Sequence, residues 1–276
     1  MKKLILALVM AFMLPAAAFA AEADKTIVIG VTPFPHKDIM EVVKTVLSED
    51  GYNLEIKEFS DYVQPNMALA ECQLDANFFQ HQPYLDNMNK EKKLGLVSVA
   101  KVHVEPLGLY SNKITLADTE PNNYPAKLEL LKPLLKKGAK ISVPNDPTNG
   151  ARALRLLEAN GIIKLKKGDL VTAKDITENP YELNIVELDA AQLPRTMDDV
   201  VASVINSNFA GQAGLIPARD AIVIEAKDSP YANVIAVRES EKDSPKIKAL
   251  VKASQSPKVK AYIEEELAPK GILPSF

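Results

Sequence analysis

An arginine one turn into an expected helix, three asparagines and a cluster of rings are the residues in this 276-residue sequence with the types and spacing to hold a small ligand. Pro144-Asn-Asp-Pro-Thr-Asn-Gly-Ala-Arg152 reads as a turn from a buried strand into a helix. Free backbone N–H groups and the helix dipole favour an anion at such a place. Arg152 can add a bidentate, charge-assisted contact to a carboxylate there. The plainer alternative is ordinary capping of the helix by Asp146 or Thr148, with a solvated arginine. Asn149, Asn206 and Asn233 can accept from an ammonium or donate to a carboxylate, or simply close turns and strand ends. Tyr62, Phe79, His81 and Tyr84 lie within a short span and can enclose an apolar group, although rings so spaced more often form core.

The three histidines, at 36, 81 and 103, show no metal-ligand spacing such as H-E-x-x-H, so neither a metal nor a cofactor is expected. A neutral His81 can bond a ligand, order Tyr84, or be satisfied by backbone. The single cysteine, Cys72, has no intramolecular partner and reads as a small buried hydrophobe in preference to a free reactive thiol. No G-x-S-x-G, P-loop or G-x-G-x-x-G motif occurs. A nucleophile–base pair of Cys72 and His81, in an exported α/β hydrolytic enzyme, is the alternative to the expectation that this is no enzyme.

Those side chains need a scaffold outside the cytoplasm. Lys2 and Lys3, the apolar run Leu4 to Leu14, Pro15 and a small-residue stretch have the layout of a secretory signal peptide over residues 1–20, with cleavage near Ala20. The apolar run is shorter than the ~20 residues that span a bilayer. A periplasmic or extracytoplasmic location follows, and with no cysteine near the cleavage point no lipid anchor is expected. The formal net charge of −3 becomes more negative once the two lysines leave, which argues against nucleic acid as a partner.

Thr26–Thr32 is a β-branched run suited to a parallel strand buried on both faces, and Ile39, Val42, Val43, Val46 and Leu47 repeat at helical spacing. Strands are expected at 54–59, 75–79 and 96–110, with helices at 65–70 and 83–93 between them. The turn-rich segment 111–138 interrupts this order, which restarts at 139–143 with a helix through Leu157 and strands at 184–188, 221–225 and 233–237. Helices near 246–253 and 259–267 close the chain. The reading is α/β in two lobes, residues 21–110 plus 230–276 and residues 111–229, with a crevice at the carboxyl ends of their strands. The 111–138 segment is expected to be a surface elaboration.

Asp61-Tyr-Val-Gln-Pro-Asn66, Leu74-Asp-Ala-Asn-Phe-Phe-Gln-His-Gln-Pro-Tyr-Leu85, Val143–Asn149 with Arg152, Ala191-Gln-Leu-Pro-Arg195 and Ser229-Pro-Tyr-Ala-Asn233 together resemble the methionine-binding family of periplasmic and lipoprotein transport components. The resemblance covers most of the chain after the leader. It implies a type II periplasmic binding protein fold of two lobes with a ligand crevice between them. Methionine or a close derivative is the implied cargo, with an ABC transporter permease and its ATPase as partners; another amino acid or a methionyl dipeptide is the alternative ligand. Tyr62, Phe79, His81 and Tyr84 would then close around an unbranched thioether. Asn206 and Asn233 match positions that hold the ligand's amino-acid end. One departure is that family members usually carry glycine immediately before the arginine, where this chain has Gly150-Ala151.

Overall fold

A computed structural model describes residues 25–226 and 230–276. The expected leader at 1–20 and Ser229 lie outside the described residues. The first lobe is built on β1 (Thr26–Val31), whose Ile27, Ile29 and Val31 are buried in one core with α1 (Asp38–Glu49). β2 (Asn53–Glu58), α2 (Gln64–Ala70), β3 (Ala76–His81), α3 (Gln82–Lys92) and β4 (Leu96–Val104) follow. β1 pairs in parallel with both β2 and β3, as its uninterrupted apolar run implies.

The expected strand over 96–110 is broken. Pro106 offers no N–H to a ladder, and after Glu105-Pro106-Leu107 the chain enters a different sheet as β5 (Gly108–Tyr110). By sheet membership the crossing thus precedes the expected boundary at residue 110.

The second lobe continues with α4 (Tyr124–Leu131), β6 (Lys140–Pro144), α5 (Pro147–Ala159), a ribbon of β7 (Lys164–Leu165) and β8 (Ile176–Glu178), and β9 (Asn184–Leu188). β10 (Ala202–Ile205), α6 (Ser207–Gln212), α7 (Pro217–Asp220) and β11 (Val223–Ile224) complete it. The chain then returns to the first sheet as β12 (Ala232–Arg238), followed by α8 (Pro245–Ser254), α9 (Pro257–Tyr262) and β13 (Leu273–Pro274).

The first sheet has the order β13-β4-β12-β3-β1-β2, and the second β11-β5-β10-β6-β9. Both are mixed: β12 runs antiparallel to β3 and β4, and β5 antiparallel to β10. Neither sheet is wholly parallel because the strands that cross between the lobes arrive from the opposite end. Each sheet has its own apolar core, one around Ile27, Ile29, Val43, Phe78 and Ile235, the other around Leu109, Ile141, Val143, Leu154 and Val204.

Cys72 is exposed, contrary to the expectation of a buried hydrophobe. It sits just past α2 with a φ of 60°, where the chain turns away from the core. The 111–138 segment is docked by α4, whose Lys127 donates Nζ–H bonds of 2.9 and 2.8 Å to the carbonyls of Ala218 and Arg219. Lys127→Met takes this donor from the Arg219 carbonyl and leaves the Ala218 carbonyl with the Asn122 N–H, so a loss of about 1–3 kcal/mol is expected. Melting temperature should fall by several degrees, and an unchanged value would mean that water already satisfies them.

Candidate ligand-binding site

A cleft lies between the lobes, and all eight residues singled out from the sequence line it, together with Gln80, Glu105, Ser207 and Asn208. From the first lobe come the rings. Asp61 accepts the backbone N–H groups of Val63 and Gln64, which fixes the loop that carries Tyr62. Behind it Asn66, on α2, bonds Asn77 and Gln80 of β3 in a buried amide network. Tyr62 stands 6.0 Å from Phe79 and 5.9 Å from Tyr84, ring to ring, and 5.0 Å from Phe209 of the second lobe. Its hydroxyl donates to Asn208 Oδ1 at 2.6 Å across the cleft. Burial pushes that phenol well above its ordinary value, so it stays a donor.

His81 is buried with both ring nitrogens engaged. Nδ1 accepts the Tyr84 N–H at 3.1 Å, capping α3, and Nε2 lies 3.0 Å from Asn149 Oδ1 in the opposite lobe. It therefore presents a ring face to the cleft and no free nitrogen. Asn149 is likewise engaged: Oδ1 also accepts from Asn206, and Nδ2 donates to Asp146. Its place is in the cleft, but its amide holds protein groups together.

The start of α5 corrects one expectation and explains another. The Asp146 carboxylate accepts from the Asn149 N–H, the Asn149 amide and the Thr148 hydroxyl, so the helix N-terminus carries its own anion. A ligand carboxylate is thus not needed there. Gly150 allows the helix to approach β6, since a Cβ on it would meet the Pro144 carbonyl oxygen at 2.9 Å. The glycine belongs at 150 for this reason, whatever stands at 151.

Arg152 is buried, not solvated. Nε donates to Glu225 at 2.7 Å, Nη2 to Glu225 and, at 2.7 Å, to the Glu105 carbonyl, and the guanidinium lies 4.3 Å from the Tyr231 ring centroid. Among the described residues Nη1 has no hydrogen-bond partner, so one face of the fork remains for a carboxylate. Among the described residues Asn206 Oδ1 and Asn208 Nδ2, one an acceptor and one a donor, are likewise buried without partners. Orphaned groups of this kind are rare in a core and normal in a ligand site.

Asn233 opens β12 in register with His81 of β3 and His103 of β4. Behind it His36, His103 and Glu105 converge, their ligand-type atoms all within 4.8 Å. Spacing along the chain does not reveal this cluster, because residue 36 is far from the other two. His103 Nε2 stands 2.7 Å from Glu105 Oε1, the distance of an N–H···O bond. Sequence reasoning also missed Ser207 and Asn208, yet Asn206-Ser-Asn-Phe209 repeats the signal of the Arg152 segment, a polar turn between an apolar strand and a helix. Glu105 was visible too, as an acid inside a run expected to be buried. Cys72 is exposed while His81 is buried and fully bonded, so they form no nucleophile–base pair.

Burial lowers His36 to about 4 and His81 and His103 to about 3, despite the pull of Glu105 on His36. The unfolded chain takes up these protons near pH 6.5. Between there and about pH 4 the unfolded state binds more protons, so stability falls as pH falls, by up to about 1.4 kcal/mol per pH unit for each histidine. Glu105 acts with the opposite sign: burial raises it, so its contribution is lost as pH rises. A lower urea midpoint at pH 5 than at pH 7.5 is expected. Equal midpoints would mean that the histidines are not held neutral.

Known proteins resemble the chain over nearly its whole length. It is 45% identical to a D-methionine-binding lipoprotein MetQ of Salmonella typhi over 232 residues, 82% of this chain and 80% of that protein. It is 47% identical to outer membrane lipoprotein 3 of Mannheimia haemolytica, covering 82% of each. A nutrient-binding protein from Burkholderia cenocepacia, solved bound to methionine, superposes with a TM-score of 0.80 at 45% identity, covering 91% of this chain and all of that one. The two-lobe architecture is thus the type II binding protein fold. The lipoprotein names stand against the expectation of an unanchored chain, and the segment on which that expectation rests lies outside the described residues. The family model for NlpA lipoprotein matches residues 27–276, and with the relatives' identity and coverage this establishes that the chain belongs to the NlpA lipoprotein family.

Proposed function

We propose that the chain captures methionine in this cleft and delivers it to the permease and ATPase of an ABC importer, acting as a binding protein and not as an enzyme. One observation carries the reading: a cleft shared by two lobes has rings at one end and an arginine with unpartnered amide groups at the other. Relatives at 45% identity are named for, or solved with, methionine.

In this reading Arg152 Nη1 and Asn208 Nδ2 donate to the ligand carboxylate. Asn206 Oδ1 accepts from the ammonium, with the Glu105 carboxylate nearby as its counter-charge. Tyr62, Phe79, Tyr84 and the face of His81 surround the thioether. Each sulfur–ring contact contributes only ~0.3–1.5 kcal/mol, so the shape of the slot carries much of the selectivity. Asn149 acts indirectly, by joining His81 to Asn206. Ligand selects the closed form because only that form offers both ends of the site at once. Export through a leader cleaved near Ala20 places the protein where such a cargo is met.

Mass spectrometry of small molecules released on denaturing the purified protein tests the reading, with calorimetry against an amino-acid panel. Methionine should be released intact and should rebind. Release of no amino acid together with no heat on adding methionine would refute it, and so would consumption of methionine.

A further inference from the structure

Thr32, His36 and His103, together with the cleft-lining Glu105, form a line of buried polar contacts behind Asn233, and the first three do not line the cleft. Thr32 Oγ1 lies 2.7 Å from His36 Nδ1, and His36 Nε2 lies 3.1 Å from Asn233 Oδ1 and 3.4 Å from Glu105 Oε1. We propose that His36 is a positioning residue that fixes the Asn233 amide with its NH2 group toward the cleft, so that Asn233 reads the ligand's carboxylate rather than its ammonium. This rests on the methionine reading above.

An amide's oxygen and nitrogen are hard to tell apart by distance alone, but proton counting decides the orientation. His103 Nδ1 is buried without a partner among the described residues, so the single proton of this neutral ring sits on Nε2 and is donated to Glu105 Oε1. That makes Oε1 an acceptor. A bare lone pair on His36 Nε2 would face this oxygen, whereas an N–H there is attracted by it. The Phe34 carbonyl also faces the ring, but on Nε2 the proton meets both Glu105 Oε1 and Asn233 Oδ1, so it is assigned to Nε2 and Nδ1 accepts from the Thr32 hydroxyl. An N–H at Nε2 can be met only by an acceptor, which is Asn233 Oδ1. The NH2 group is left for the cleft that Asn233 lines. The roles in the site are then divided, with Asn233 and Arg152 serving the carboxylate and Asn206 Oδ1 the ammonium.

Long-range proton–nitrogen NMR of histidine-labelled protein reads the His36 ring directly. The proton is expected on Nε2, and a proton on Nδ1 overturns the proposal. Calorimetry with three ligands supplies the second arm: methionine, methioninamide, which has no carboxylate, and 2-hydroxy-4-methylthiobutanoate, which has no ammonium. Asn233→Ala should weaken methionine and the hydroxy acid by about tenfold or more, and methioninamide by under about threefold. The reverse pattern overturns the proposal. His36→Leu frees the amide to turn, so the preference for methionine over methioninamide should fall about tenfold, while His36→Gln, which keeps an N–H near the same place, restores it. Equal losses for every ligand would reduce His36 to packing. Should His36→Leu fail to fold, the ring spectrum and Asn233→Ala decide. A wild-type protein that binds none of the three sinks the methionine reading, and the ring spectrum still judges His36.

Discussion

Arg152→Ala is expected to weaken methionine binding by about a hundredfold to a thousandfold and to lower the melting temperature of the ligand-free protein as well. Two losses combine. The ligand carboxylate loses a charge-assisted bond, a contact that contributes ~1.5–3 kcal/mol. Glu225 loses the guanidinium it accepts from, and breaking a buried pair by removing one partner costs about 3–5 kcal/mol. Glu225 keeps a side-chain exposure of 17%, so water relieves part of that second loss. The effects separate in the double variant Arg152→Ala/Glu225→Gln, where the orphaned charge is gone: stability should largely return and affinity should not. Arg152→Lys should remain at least about tenfold weak, because an ammonium cannot serve Glu225, the Glu105 carbonyl and a ligand with one planar fork. Calorimetry and thermal melts read both quantities. Wild-type affinity in Arg152→Ala would show that the guanidinium serves the fold alone.

Tyr62→Ala should cost about a hundredfold in affinity, and Tyr62→Phe about tenfold. The alanine variant removes a ring that meets Phe79 and Tyr84 in its own lobe and Phe209 in the other, and comparable truncations in cores cost about 3–5 kcal/mol. Part of that loss falls on the ligand-free protein, so the effect on binding is smaller than the whole. Phenylalanine keeps the ring and removes the hydroxyl donor to Asn208. That bond crosses the cleft, so it stabilises the closed form in particular, and its loss should appear mainly as faster ligand release. Stopped-flow dissociation measures this. Release at the wild-type rate from both variants would place Tyr62 outside the site.

These two positions also show what could be read early. Tyr62, Phe79, His81 and Tyr84 were legible because residues 62 to 84 fold as one local unit. Arg152 was legible because its helix starts at a recognisable turn. The capping by Asp146 was legible for the same reason, since donor and acceptor lie three residues apart. The partners that assign roles were not. Glu225 is 73 residues from Arg152, and Asn233 is 197 from His36. β10 was missed as well: the Asn206 turn ends it, but its four residues are too few to show a period, and pairing with β5 and β6 is what makes them a strand.

By itself the sequence determined the alternation of buried strands and amphipathic helices, the two-lobe order and the residues that line the cleft, because hydrophobic period, caps and turns act over a few residues. Only the tertiary structure decided which of those side chains still has a hydrogen bond to offer. Asn149 and His81 came out engaged, Arg152 half engaged, and Asn206 and Asn208 open. Such bonds are settled by partners that distant strands bring within 3 Å, and one-dimensional spacing carries no record of them.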